Sequence, residues 1–67
     1  MTEKQKKLYE AIKSFIEVNG YAPTIRELNV ITNIKSTATT HSKLLQLKKK
    51  GFITYVEGKS RTIKIIK

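Results

Sequence analysis

The apolar residues of this chain fall at two different spacings, and the change between them divides it into a helical part and a strand-like part. Leu8, Ala11, Ile12, Phe15 and Ile16 recur at the three- and four-residue intervals of one helical face, which predicts a helix from about Glu3 to Asn19 with that stripe turned to a core. Thr2 and Gln5 have capping-box spacing, and Gly20 offers the left-handed residue that ends a last turn. Pro23 biases Ala22 away from helix, and Thr24 with Glu27 makes a second capping box. That box opens a helix of about two turns with Ile25, Leu28 and Ile31 expected inward. Thr32-Asn33-Ile34-Lys35 breaks the pattern, and Asn33 tolerates positive φ in a tight turn. Ser36 caps a third helix that runs to about Lys50, with Thr40, Leu44 and Leu47 on one face, and Gly51 stops it.

Beyond Gly51 the residues become β-branched and aromatic. Phe52-Ile53-Thr54-Tyr55-Val56 and Arg61-Thr62-Ile63-Lys64-Ile65-Ile66 read as two strands around the turn Glu57-Gly58-Lys59-Ser60. A two-stranded hairpin is marginal alone in water, so it is expected to lie against the helices, with Phe52 and Tyr55 in the core or at its margin. The predicted fold class is mainly α with a small β-hairpin, in a single domain over residues 1–67.

A 67-residue chain hides only about 60% of the surface its unfolded form exposes, so its core must be economical. Without cysteine, neither a disulfide nor a thiolate metal site supplements that core. No apolar run approaches the roughly 18 residues of a membrane span. The opening residues MTEKQKK lack the apolar stretch of a secretory signal. A cytoplasmic protein with no membrane association is expected.

Charge sharpens the picture. The formal net charge is +9, and it is unevenly placed. Residues 1–34 carry Lys4, Lys6, Lys7, Lys13 and Arg26 against Glu3, Glu10, Glu17 and Glu27, a balance of +1. Residues 35–67 carry nine Lys and Arg against Glu57 alone, a balance of +8. A block of one sign attracts a polyanion through its summed field, which on charge alone points to nucleic acid or an anionic membrane surface.

Catalysis fails on inventory. The chain has no Asp and no Cys, one histidine (His41), and no carboxylate with a neighbour placed to retune it, so no catalytic residue is expected. One histidine and scattered glutamates give no metal-ligand set, and no glycine-rich phosphate cradle occurs. No cofactor, metal or small-molecule ligand is implied. What remains is two helices joined by a four-residue turn, preceded by a third and followed by a hairpin with a basic tip, an arrangement that resembles a winged helix-turn-helix.

Three segments in order resemble the N-terminal DNA-binding domain of LexA-type repressors. Gly20-Tyr21-Ala22-Pro23-Thr24-Ile25-Arg26-Glu27-Leu28 is similar to the segment joining the first two helices of that family. Leu44, Leu47 and Lys50-Gly51-Phe52-Ile53 resemble the end of its recognition helix and the start of its wing. Gly58-Lys59-Ser60-Arg61-Thr62-Ile63 resembles its wing tip and returning strand. The resemblance implies a bacterial or phage transcriptional regulator that binds double-stranded DNA. It implies base reading by Ser36, Ala38, Thr39, His41 and Ser42 at the front of the third helix. Ser36 would also present helix-terminal amides to phosphate, and Arg26, Lys35, Lys59 and Arg61 are the candidate backbone contacts. Thr40, Leu44 and Leu47 match buried positions, and Lys48-Lys49-Lys50 is read as a solvated face.

The departures are specific. Asn29 stands where the family prefers a small residue, Thr32 where it prefers an aliphatic one, and Asn33 where it usually has glycine. Whole repressors of this type continue into a linker and a self-cleaving, dimerising domain with a Ser-Lys pair. The chain is expected to act without that domain, and pairing of two copies on a palindrome stays open. Two other readings of the basic half are an architectural or recombination accessory protein of a mobile element, and a winged-helix module that docks an acidic protein.

Overall fold

The computed structural model describes residues Met1 to Lys67 as three helices followed by a short antiparallel hairpin. Helix α1 spans Glu3–Asn19, α2 Ile25–Thr32 and α3 Thr37–Lys49; strands β1 (Ile53–Thr54) and β2 (Lys64–Ile65) form the wing. None of the helices is long and apolar enough to cross a membrane.

The helix ends are set by their own residues. The Thr2 and Thr24 hydroxyls accept from the amides of Gln5 and Glu27, whose side chains accept in return from the Thr2 and Thr24 amides. Both capping boxes are therefore closed, satisfying amides that have no partner within the first turn. Gly20 and Asn33 end α1 and α2 in the left-handed region, at φ 77° and 58°. At the end of α3 the Phe52 amide donates to the Leu47 carbonyl and the Gly51 amide to that of Lys48. These two bonds make a Schellman closure, which requires the positive φ of 82° that Gly51 adopts without strain.

One core joins the elements. Leu8, Tyr9 and Ile12 enter it from α1, Leu28 from α2, Leu44 and Leu47 from α3, and Ile53, Tyr55 and Ile63 from the wing and its flanks. Gln5 is buried beside it, and its amide nitrogen donates to Gln46 at 2.7 Å while its carbonyl oxygen accepts from Lys50 at 3.1 Å. The start of α1 is thereby tied to the end of α3. Ile31, expected inward, is about half exposed instead, because α2 sends only Leu28 fully into the core and Ile31 flanks the groove between α1 and α2.

The wing strands are shorter than the alternation predicts. Pairing is limited to Ile53 with Ile65 and Thr54 with Lys64. Past Thr54 the ladder gives way to the Thr62 side chain, whose oxygen accepts from the Val56 amide at 2.9 Å. Arg61 sits at φ 57°, which breaks the extended run on the returning side. The wing gains support elsewhere: the Ile66 amide donates to the Phe52 carbonyl, the Tyr9 hydroxyl donates to the Lys67 carbonyl, and the Arg61 guanidinium reaches α2.

Glu27 holds two of these joints. Its carboxylate accepts from the Thr24 amide at 2.8 Å and from Arg61 at 3.0 and 3.3 Å. The Thr24 amide above all holds the Glu27 carboxyl below its ordinary 4.5; desolvation opposes it, and the hydrogen bond and charge of Arg61 add to the lowering.

Two outcomes are expected from this packing. Leu47→Ala should lower the unfolding free energy by about 2–5 kcal/mol, whereas Ile31→Ala should cost less than about 1 kcal/mol, both read by urea denaturation. A carboxyl whose folded pKa is depressed stabilises the fold above its unfolded value and loses that contribution as pH falls from 4.5 through the lower folded value. The thermal midpoint should therefore drop as pH falls below 4.5, and the drop should be shallower in Glu27→Gln, which keeps the capping box but does not titrate.

Candidate nucleic-acid interface

Helix α3 is two-sided. Thr40 and Leu47 are fully buried and Leu44 nearly so, which decides the side of the helix that faces the core. On the opposite side Ser36, Ala38, Thr39 and Ser42 are exposed, four short side chains that leave room for another surface to approach closely. The Ser36 hydroxyl accepts from the Thr39 amide at 3.2 Å, so one of the candidate side chains also builds the front of the helix.

The open face of α3 continues onto α1. Ala38, Thr39, Ser42, Lys43 and Gln46 line a groove whose other wall is Thr2, Lys4 and Gln5. An adjoining recess brings Lys7 beside Lys43 and Thr39. Lys4 and Lys7 were not among the candidates read from the sequence. Their three-residue spacing shows that they share a side of α1, but only the packing of α1 against α3 shows that this side adjoins the exposed one.

On the other flank of α3 the wing and the start of α2 enclose a cleft. Pro23, Ile25, Leu44 and Ile63 contribute apolar lining, and Arg26, His41, Lys59 and Arg61 contribute basic groups. Four residues named from the sequence thus gather around one cleft. Lys35 stands apart from them, exposed in the turn just before Ser36.

The carboxylate that lines this cleft, Glu57, and the one that holds its Arg61, Glu27, each face a basic group. Glu57 lies 3.5 Å from Nε2 of His41, and the His41 ring meets Tyr55 edge-on at 6.3 Å between centroids. Glu27 is held by Arg61, which also donates to the Ala22 carbonyl at 3.1 Å and covers the Tyr21 ring at 4.8 Å. Arg61, a candidate phosphate contact, therefore already joins the wing to the segment before α2. Burial, and secondarily Glu57, pushes the Tyr55 hydroxyl above its ordinary value, so it stays neutral.

The lysine run at the end of α3 is only in part a solvated face. Lys48 donates to the Tyr55 carbonyl at 3.0 Å and sits over the Tyr55 ring, while Lys50 donates to Gln5. Both ammonium groups brace the fold, and Lys49 is exposed.

Comparison with known proteins agrees with this geometry. The LexA DNA binding domain family matches residues 1–62. The LexA repressor of Clostridium kluyveri is 44% identical over 98% of this chain and 35% of its own length. That of Caldicellulosiruptor saccharolyticus is 42% identical over 98% of this chain and 33% of its own. The transcription regulator LexA of Synechocystis sp. is 35% identical, again over 98% of this chain and 32% of its own length. The chain thus spans about a third of the length of these curated relatives. With its residue order, its two-sided third helix and its braced wing, the chain belongs to the LexA DNA-binding domain family.

Proposed function

We propose that this chain regulates transcription by occupying specific sites on duplex DNA, with α3 in the major groove and the wing against the neighbouring backbone. Binding is what this chain contributes to that regulation, and the cytoplasm, where bacterial DNA lies, is its place of action. One observation carries the reading: a helix buried on one side presents short side chains near its start on the other, between lysines of α1 and a basic wing. A helix of ordinary diameter fits the major groove, where hydrogen-bond patterns distinguish all four base pairs.

Residue roles follow from position. Ser36, Ala38, Thr39, His41 and Ser42 are the base-reading group. Ala38 can supply an apolar contact to a thymine methyl, and the hydroxyls and imidazole can donate or accept at base edges. His41 has its Nε2 turned to Glu57, so in this arrangement its other ring nitrogen is the one available to a base. Arg26, Lys35 and Lys59 neutralise phosphates, joined by Lys4, Lys7 and Lys43 on the far flank of α3. Arg61 fixes the wing against Glu27, with its remaining donors toward the backbone.

These roles separate in experiment. With about six phosphates neutralised by these side chains, log affinity should fall against log salt with a slope of about −5 to −6. Lys59→Ala should weaken all duplexes alike and reduce that slope by about 1, whereas Thr39→Ala and His41→Ala should shift base preference by about 1–3 kcal/mol at single positions. Selection from a randomised duplex pool at physiological salt reads both. An enriched palindrome would mean two copies on one site. Retention without any enriched motif would favour the architectural role instead, and no retention would favour protein docking.

A further inference from the structure

The contact between α2 and α3 has little apolar material. Leu28 is the only buried residue of α2, and one leucine sets a spacing between helices without fixing how one is rotated against the other. The missing restraint comes from Asn29. Its amide nitrogen donates to the Thr37 hydroxyl at 3.3 Å, and its side-chain oxygen accepts from the hydroxyl of Thr40. Thr37 and Thr40 are one turn apart on the same side of α3, so a single rigid amide grips the helix at two successive levels. The backbone of the same residue closes the turn, because the Asn29 carbonyl accepts from the amides of both Asn33 and Ile34.

We propose that Asn29 is a positioning residue for DNA sequence preference: by holding Thr37 and Thr40 it sets the rotation of α3, and with it which side chains among Ala38, Thr39, His41 and Ser42 reach base edges. The inference rests on the reading of α3 as the base-reading helix. Thr40 makes it testable, since a fully buried side chain cannot touch DNA and affects sequence preference only by moving what does. Rotation of a helix by a fraction of one residue displaces its outer side chains by an ångström or more, enough to misalign a hydrogen bond to a base. The salt-dependent grip on phosphates tolerates such a shift.

The test measures, for the full chain, the ratio of dissociation constants for a scrambled duplex and for the duplex enriched from a random pool. Thr40→Val, which removes one of the two bonds, should lower that ratio about three- to tenfold, and Asn29→Ala, which removes both, at least as much, with scrambled-duplex affinity and salt slope unchanged. Thr40→Ser restores the hydroxyl donor and should stay within about twofold of the parent ratio. The double variant should do no worse than the more affected single one, since both remove the same bond. An unchanged ratio with only a lowered thermal midpoint would make Asn29 a purely stabilising residue and overturn the proposal, as would full additivity. If Thr40→Val does not fold, Asn29→Ala, at a half-buried position, decides alone. Thr39→Ala and His41→Ala serve as controls. If they shift preference while Asn29→Ala and Thr40→Val do not, this inference alone falls; if none of the four shifts it, the base-reading role of α3 falls and carries this inference with it.

Discussion

The buried stripe of α3 constrains everything the molecule presents. Thr40, Leu44 and Leu47 follow one another at intervals of four and three residues and meet the core with almost no exposed surface. A helix packed on that side has its outward face chosen to within a fraction of a residue. Its open face follows directly, and so does the position of everything packed at its edges, from the Gln46 contact with Gln5 on one flank to the Lys48 contact with Tyr55 on the other. Few residues accomplish this. The hydrophobic core has nine buried members, too few to orient three helices and a wing by shape alone, and polar contacts provide much of the remaining orientation.

Electrostatics is organised around the same face. An excess of positive charge draws in a polyanion, but carboxylates left free near the contact would oppose it. Glu27 faces Arg61 and also completes the cap of α2, while Glu57, the lone acid of the basic half, faces His41. Glu27 thus holds a wing residue in place, and Glu57 links the wing to α3. The α1 lysines compensate for the more balanced charge of the first half, since Lys4 and Lys7 lie on the side next to α3. A charge count by sequence halves misses this, because space rather than chain order decides which lysines act together.

What was legible beforehand was local. Both capping boxes, the left-handed Gly20 and Asn33, the Ser36 cap and the buried stripe of α3 depend on neighbours within four residues, and all appear as read. The misreadings involve partners farther off. Ile31 has the right spacing for burial but lies beyond the reach of a core that takes only Leu28 from its helix. The wing has strand-like composition over eleven residues, yet Thr62 and the left-handed Arg61 replace most of its ladder. Arg61 reads as a free cation until Glu27, 34 residues away, is seen beside it. Asn29, a departure from the family pattern, gave no hint of its two threonine partners, because its bonds exist only once α3 has docked.

The wing shows why such distant ties are needed. Two paired residues on each side cannot hold a hairpin in water. The hairpin is ordered because Ile53, Tyr55 and Ile63 are buried, Lys48 covers Tyr55, Arg61 reaches Glu27 and the Ala22 carbonyl, and Phe52 accepts from the end of the chain. Lys48 belongs to α3, Glu27 to α2 and Ala22 to the connector before it, so the wing cannot swing without breaking several ties at once. That rigidity matters for binding, since a loop ordered before contact does not lose its conformational freedom on the DNA. A domain of this size cannot gain affinity from a large interface and must gain it from a surface already in shape, which is what polar braces around a small core supply.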